Sequence, residues 1–178
     1  MYKRAIVSMV LIFLVISCNS KKIRTIDAPK ETLPFIQLVK PGSSLVWILP
    51  EKWVEKPLES FRKASYDIPT LSGSFADFSI VSFPGDVGGT LSNVNRWRNQ
   101  LGLGPVTEFE LDKIKISIQH ELFDISFYDL RSTNESILVA MFPFNKELYF
   151  FKVFLSDLSS IENIKTDFLE VLNELEIK

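Results

Sequence analysis

The chain has 178 residues, with 20 basic and 22 acidic side chains and a single cysteine. That length suits one domain around one core and is short for two. The slightly acidic balance argues against nucleic acid as a partner, and a lone cysteine excludes an intramolecular disulfide.

The first residues read MYKRAIVSMVLIFLVISCNS. Lys3 and Arg4 form a short basic start, Ala5 to Ile16 an uncharged apolar run, and Ser17-Cys18 follows at once, which is the layout of a signal peptide. The run is about 12 residues where a membrane-spanning helix needs about 20. Val15-Ile16-Ser17-Cys18 resembles the bacterial lipobox, in which a small residue precedes a cysteine that is acylated and becomes the new N-terminus. The expectation is therefore an exported lipoprotein, cleaved after residue 17 and joined to a membrane through lipid on Cys18. Cleavage removes Lys3 and Arg4, leaving 18 basic against 22 acidic residues, a net charge near -4. Asn19 is not the aspartate associated with inner-membrane retention in some Gram-negative bacteria. In such a cell, the outer membrane facing the periplasm is favoured.

Residues 18–42 then read as lipidated cysteine and tether, and 43–178 as one globular domain. Asn19 to Glu31 is polar without periodicity, and Pro29 and Pro34 would interrupt a helix. Fully extended, that stretch reaches at most about 40 Å. Whether the short apolar run Leu33 to Val39 joins a sheet is left open. After Gly42, Leu45, Trp47 and Leu49 alternate as in a strand until Pro50. Further strands are predicted at Phe61–Ile68, Phe75–Phe83, Ile114–Gln119, Leu122–Leu130, Ile137–Phe144 and Leu148–Leu155. Short connections at Arg131–Glu135 and Asn145-Lys146 imply antiparallel hairpins. Two helices are predicted, over Thr90–Leu101 and Ser160–Leu175. Ser159 and Glu162 have capping-box spacing at the start of the second, and Ile161, Ile164, Phe168, Leu172 and Leu175 make its apolar stripe. The pattern is α+β: an antiparallel sheet of six to seven strands packed by helices.

Residues 83–103, FPGDVGGTLSNVNRWRNQLGL, run a glycine-rich turn into an amphipathic helix. At 100° per residue, Leu91, Val94, Trp97 and Leu101 share one face, Arg96, Asn99 and Gln100 point away, and Asn95 and Arg98 lie on the border. Asp77 and Asp86 are the acceptors expected for Arg98, because an unpaired charge at a buried edge is costly. Glycines before a helix could expose backbone N–H groups to an anion. The plainer reading, a tight turn needing positive φ at Gly85, Gly88 or Gly89, is preferred. Asp86 would repel phosphate, no Walker-type lysine is present, and the spacing fits neither GxGxxG nor GxxxxGK[ST].

The segments Ala76-Asp77-Phe78-Ser79-Ile80, Phe83-Pro84-Gly85-Asp86-Val87-Gly88-Gly89 and Asn93-Val94-Asn95-Arg96-Trp97-Arg98-Asn99-Gln100-Leu101-Gly102-Leu103 together resemble a family of uncharacterised exported bacterial proteins. WILPEKW at Trp47–Trp53, Phe61–Tyr66 and Tyr149–Lys152 are similar to flanking parts of that family, although Phe61 stands where it tends to have Met and Lys52 where it tends to have Gly. At fold level the family is similar to the PsbP-like superfamily, an antiparallel sheet sandwiched by helices. The resemblance implies a scaffold that binds or assists other proteins, and it supplies no catalytic residue.

The remaining residues offer little for chemistry. His120 is the single histidine, set at a turn beside Glu121, so any triad or histidine metal site would rest on it alone. Glu108 and Glu110, or Asp124 and Asp129, read as solvent-facing strand or loop positions. Fifteen phenylalanines point to core packing, with an exposed remainder marking a partner surface. Lys152 among aromatics reads as a snorkelling or edge-strand charge. The reading that follows is a non-enzymatic binding or assembly module on a membrane, with neither cofactor nor metal, whose partner is an envelope protein. Its candidate contact site is Asp86, Asn93, Arg96 and Gln100. The alternative is a small-ligand carrier or sensor with a pocket between sheet and helix. A hydrolase would need a nucleophile and base that the sequence does not reveal.

Overall fold

Residues 136–155 hold two apolar runs on either side of Asn145-Lys146, and they form the middle of the sheet. The computed structural model describes residues 42–59 and 61–178. The expected signal peptide, Cys18, the tether and Leu33–Val39 lie outside the described residues. In chain order the elements are β1 (Leu45–Val46), β2 (Val54–Glu55), β3 (Arg62–Pro69), β4 (Phe75–Pro84), α1 (Thr90–Gln100), α2 (Glu108–Ile114), β5 (Ile116–Gln119), β6 (Asp124–Arg131), β7 (Ser136–Phe144), β8 (Glu147–Leu155), α3 (Ile161–Asn173) and β9 (Glu176–Ile177).

Seven strands make one antiparallel sheet in the order β2-β3-β4-β8-β7-β6-β5. It joins two meanders, β2 to β4 and β5 to β8, along the β4–β8 seam, where Asp77 faces Phe154 and Pro84 faces Glu147. The β7–β8 hairpin closes on Asn145 and Lys146, both with positive φ (51° and 64°), the two-residue turn whose twist matches paired strands. β7 is buried along almost its whole length because helices cover both faces there, so its sequence is apolar at consecutive rather than alternate positions.

Strand alternation divides the side chains between two cores. One face carries Ala64, Ile68, Phe78, Ile80, Phe127, Leu138, Phe142, Phe151 and Val153, and receives α3 through Ile161, Ile164, Phe168, Val171 and Leu172. Phe168 is fully buried, with its ring 6.0 Å from Phe78 and 5.9 Å from Phe127. The other face carries Tyr128, Leu130, Ile137, Val139, Met141 and Phe150 beneath Val94, Trp97 and Leu101 of α1 and Leu111 of α2. The architecture is thus the predicted α+β sheet packed by helices.

Several boundaries differ from expectation, each for a local reason. The strand expected over Leu45–Leu49 pairs only at Leu45 and Val46, against β9 (Ile177 and Glu176). Trp47 and Leu49 keep their inward phase and pack on the α3-side core without sheet hydrogen bonds. α2 occupies a stretch expected to be loop, and Ile114 ends that helix instead of opening β5. Glu108 and Glu110 therefore sit on a helix: Thr107 and Glu110 form a reciprocal capping box, with the Thr107 N–H donating to the Glu110 carboxylate at 2.8 Å. The capping box expected at Ser159 and Glu162 is replaced by a 3-10 turn, Leu158–Ser160, capped by the Asp157 carboxylate. Glu162 instead accepts from Arg131 at 2.7 Å.

Candidate functional site

The glycine-rich block folds as a self-contained clasp. Gly85, Gly88 and Gly89 all have positive φ, and the N–H groups of these three glycines are spent internally. Gly89 N–H donates to Asp86 Oδ1 (2.9 Å), Gly88 N–H to the Asp86 carbonyl (2.9 Å) and Gly85 N–H to the Lys146 carbonyl (3.1 Å). The structural reading of the glycines is the one these bonds support. Asn93 then ties the loop to α1: its amide donates to the carbonyls of Val87 (2.8 Å) and Gly89 (2.9 Å), and its oxygen accepts from Arg96 (2.9 Å).

Of the four candidate contact residues, Asp86, Arg96 and Gln100 are exposed, whereas Asn93 is 3% exposed with its side chain engaged on three bonds. Asn93 positions Arg96 and holds the loop, and it offers no surface of its own. On the other border, Asn95 makes a two-way bond with Val106, donating to its carbonyl (3.0 Å) and accepting from its N–H (2.8 Å). Arg98 meets neither Asp77 nor Asp86. Its Nε donates to the Gly104 carbonyl at 2.8 Å, capping the chain as it leaves α1.

Asp77 is taken by cations from the sheet edge. Arg62 holds it with two bonds (2.9 and 3.0 Å), and Lys56 lies 2.6 Å from the same carboxylate and 2.9 Å from Asp67. Burial pushes the Asp77 carboxyl up, but the bonds from Arg62 and Lys56 outweigh it and hold the group below its ordinary range. The register sets this cluster beside a polar row. Ser65 on β3 faces Ser79 on β4, which faces Lys152 on β8, which faces Val139 on β7. Lys152 shares its phase with Phe150 and Phe154, so it stands on the α1 side of the sheet. Opposed side chains in such a row begin about 5 Å apart.

Lys152 is on the central strand, not on an edge, and it is half-buried. Among the described residues its ammonium has no ion-pair or hydrogen-bond partner. Burial lowers its pKa, Asp77 offsets part of that, and Arg62 and Arg96 add to the lowering. Two carboxylates, Asp67 and Asp77, thus serve two cations, Lys56 and Arg62. Lys152 and Arg96 remain without an acidic partner, since Arg96 donates only to the neutral Asn93 and lies 5.8 Å from the Trp97 ring centroid.

The solved structures to which the chain is similar in part include these two. One is LpqN, involved in cell envelope biogenesis of Mycobacterium tuberculosis, at TM-score 0.49 and 10% identity over 76% of this chain and 84% of that one. The other is from Bacteroides thetaiotaomicron, at TM-score 0.44 and 12% identity over 75% and 45%. Neither likeness transfers a residue or a role. No family model and no curated protein matches the chain.

Elsewhere one charge cluster is bound into the scaffold. Asp129 binds Arg131 (2.5 Å) and Lys165 of α3 (2.7 Å), which ties a strand end to the helix across it. His120 accepts from the Leu122 N–H at 3.0 Å through Nδ1 and lies against Phe123, with ring centroids 5.0 Å apart. Among the described residues no group of three acidic or histidine side chains is placed to hold a metal. The polar row was missed in the sequence because its members come from strands far apart in the chain. The available signal was Lys152 itself, in phase with Phe150 and Phe154.

Proposed function

We propose that the chain is an exported protein of the cell envelope, held by lipid on Cys18, whose domain binds a partner protein without transforming it. The contact surface is the outer face of α1 with the adjoining sheet, centred on Arg96 and bordered by Asp86 and Gln100. The observation that carries this reading is the uncompensated charge there: Arg96 and Lys152 lack acidic partners while their neighbours Arg62 and Lys56 are paired. The resemblance of residues 76–103 to a family of exported proteins supports the same address. On this reading the clasp around Asn93 exists to fix Arg96 in one orientation, which lowers the entropy lost when it meets a partner. A carrier with a pocket between sheet and α1 is the weaker reading, because Val94, Trp97 and Phe150 meet there, with the Trp97 and Phe150 rings 5.9 Å apart.

The test is cross-linking of the lipidated protein in its native membrane. Arg96→Ala with Gln100→Ala should deplete a partner that wild type captures, and unchanged capture removes the surface assignment. Cys18→Ala should abolish acylation and leave the chain uncleaved or released, and acyl labelling that persists in this variant overturns the anchor.

A further inference from the structure

We infer that Lys152 and the Ser79 hydroxyl form a binding site for an anionic oxygen group, a carboxylate or a phosphate, presented to the α1 side of the sheet. This rests on the reading of that surface as a contact site and names the chemistry it would recognise. The first argument is placement. Lys152 and Ser79 are directly opposed on the neighbouring strands β8 and β4, and both point to the face that α1 covers. Ser79 is 5% exposed, and its hydroxyl has no hydrogen-bond partner among the described residues, whereas Ser65 beside it accepts from Arg62 at 2.9 Å. A donor and a cation thus stand side by side, both uncommitted.

The second argument is cost. A half-buried ammonium among Phe150, Phe154 and Val139, with no counter-ion, destabilises the fold compared with an apolar side chain of the same length. The adjacent pairs show that this sheet compensates charges when they serve structure: Arg62 makes a two-bond contact with Asp77, and Lys56 bridges Asp77 and Asp67. Asp77 pairs with Arg62 and Lys56 and makes no ion pair with Lys152 among the described residues. An incoming oxyanion would accept from Lys152 and Ser79 together, and charge-assisted bonds of this kind are the strong ones.

The experiment uses the full chain in detergent micelles and follows the Trp97 indole N–H resonance, since the Trp97 ring lies 5.9 Å from that of Phe150, two residues from Lys152 on the same strand face. N-acetylglycine and inorganic phosphate are titrated separately, with chloride at matched ionic strength as the reference. A saturable shift beyond chloride is expected, weakened about tenfold in Lys152→Met, the size of one lost charge-assisted hydrogen bond. The tighter of the two probes identifies the group as carboxylate or phosphate. Lys152→Met keeps the stem and should melt at a higher temperature than wild type. A shift that tracks chloride, or one equal in wild type and Lys152→Met, overturns the site, as does a lower melting temperature in that variant. If the anion response stands while capture of a partner survives Arg96→Ala, the partner surface fails and the anion site does not.

Discussion

The two faces of the sheet are built by different means. On the α3 side, aromatic and aliphatic side chains from β3, β4, β6, β7 and β8 interlock with five buried residues of one helix. On the α1 side, apolar packing covers β6, β7 and β8, but no residue of β3 joins it. There the sheet continues as serines, aspartates and paired cations. α3 has no side-chain cap, and its buried stripe holds it together with ion pairs from Lys165 to Asp129, Arg131 to Glu162 and Lys52 to Asp167. α1 and α2 bury less, and hydrogen bonds make up the difference: Asn93 and Asn95 on α1, and the Thr107 capping box on α2. One face supplies stability, and the other keeps polar groups within reach of solvent.

The sharpest test of this contrast is Phe168→Ala. It removes a fully buried ring that touches Phe78 and Phe127, and should cost about 3 to 5 kcal/mol in denaturant unfolding. A loss under 1 kcal/mol would mean the α3 face is not the principal core. Asn93→Ala should cost about 1 to 3 kcal/mol by stranding the Val87 carbonyl, while the Gly89 carbonyl keeps the residue-93 backbone N–H. It should also release Arg96, which would broaden the resonances of the 85–96 segment and leave those of α3 sharp. Thr107→Ala should cost about 1 kcal/mol, with faster amide exchange confined to α2, because Leu111 is the one residue of that helix buried in the core. Exchange that spreads into β6 and β7 would show that α2 is integral to its face.

The smallest effect is a difference in pH dependence. The folded pKa of Lys152 is lowered beneath its ordinary value of 10.5, so between the two values the unfolded chain binds more protons than the folded one. Stability conferred by this group therefore rises as pH climbs through that window. Subtracting the Lys152→Met profile from that of wild type should leave a positive slope on the alkaline side. A flat difference would mean that the ammonium is as well solvated as in the unfolded chain.

What was legible in the sequence follows the same division. The α3 face announces itself through period: Ile161, Ile164, Phe168 and Leu172 form a helical stripe, and the strands opposite alternate or run apolar. α1 was equally readable from Leu91, Val94, Trp97 and Leu101. α2 was not, because a seven-residue helix with one residue in the core leaves no stripe, and its only mark is Thr107 three residues before Glu110. Asn93 was placed on a surface because an asparagine on a helix usually belongs there. Its burial follows from a loop whose carbonyls had to find donors, a requirement invisible until Gly88 and Gly89 take positive φ. The polar row lay beyond local pattern altogether: Ser65, Ser79 and Lys152 meet only through the pairing of β3, β4 and β8.

The two-residue ribbon of β1 and β9 sits outside the main sheet, with Ser44 and Lys178 bonded at its end by N–H to carbonyl contacts of 2.6 and 3.0 Å. Mechanically it is a fuse. Tension applied to the chain from residue 42 loads these few bonds one after another, as in unzipping, before any force reaches the long β4–β8 seam. Under pull, residues 42–46 would pay out first, up to Trp47 and Leu49 on the core, while the polar row and α1 keep their shape, so a bound partner would feel a compliant leash in place of a rigid post.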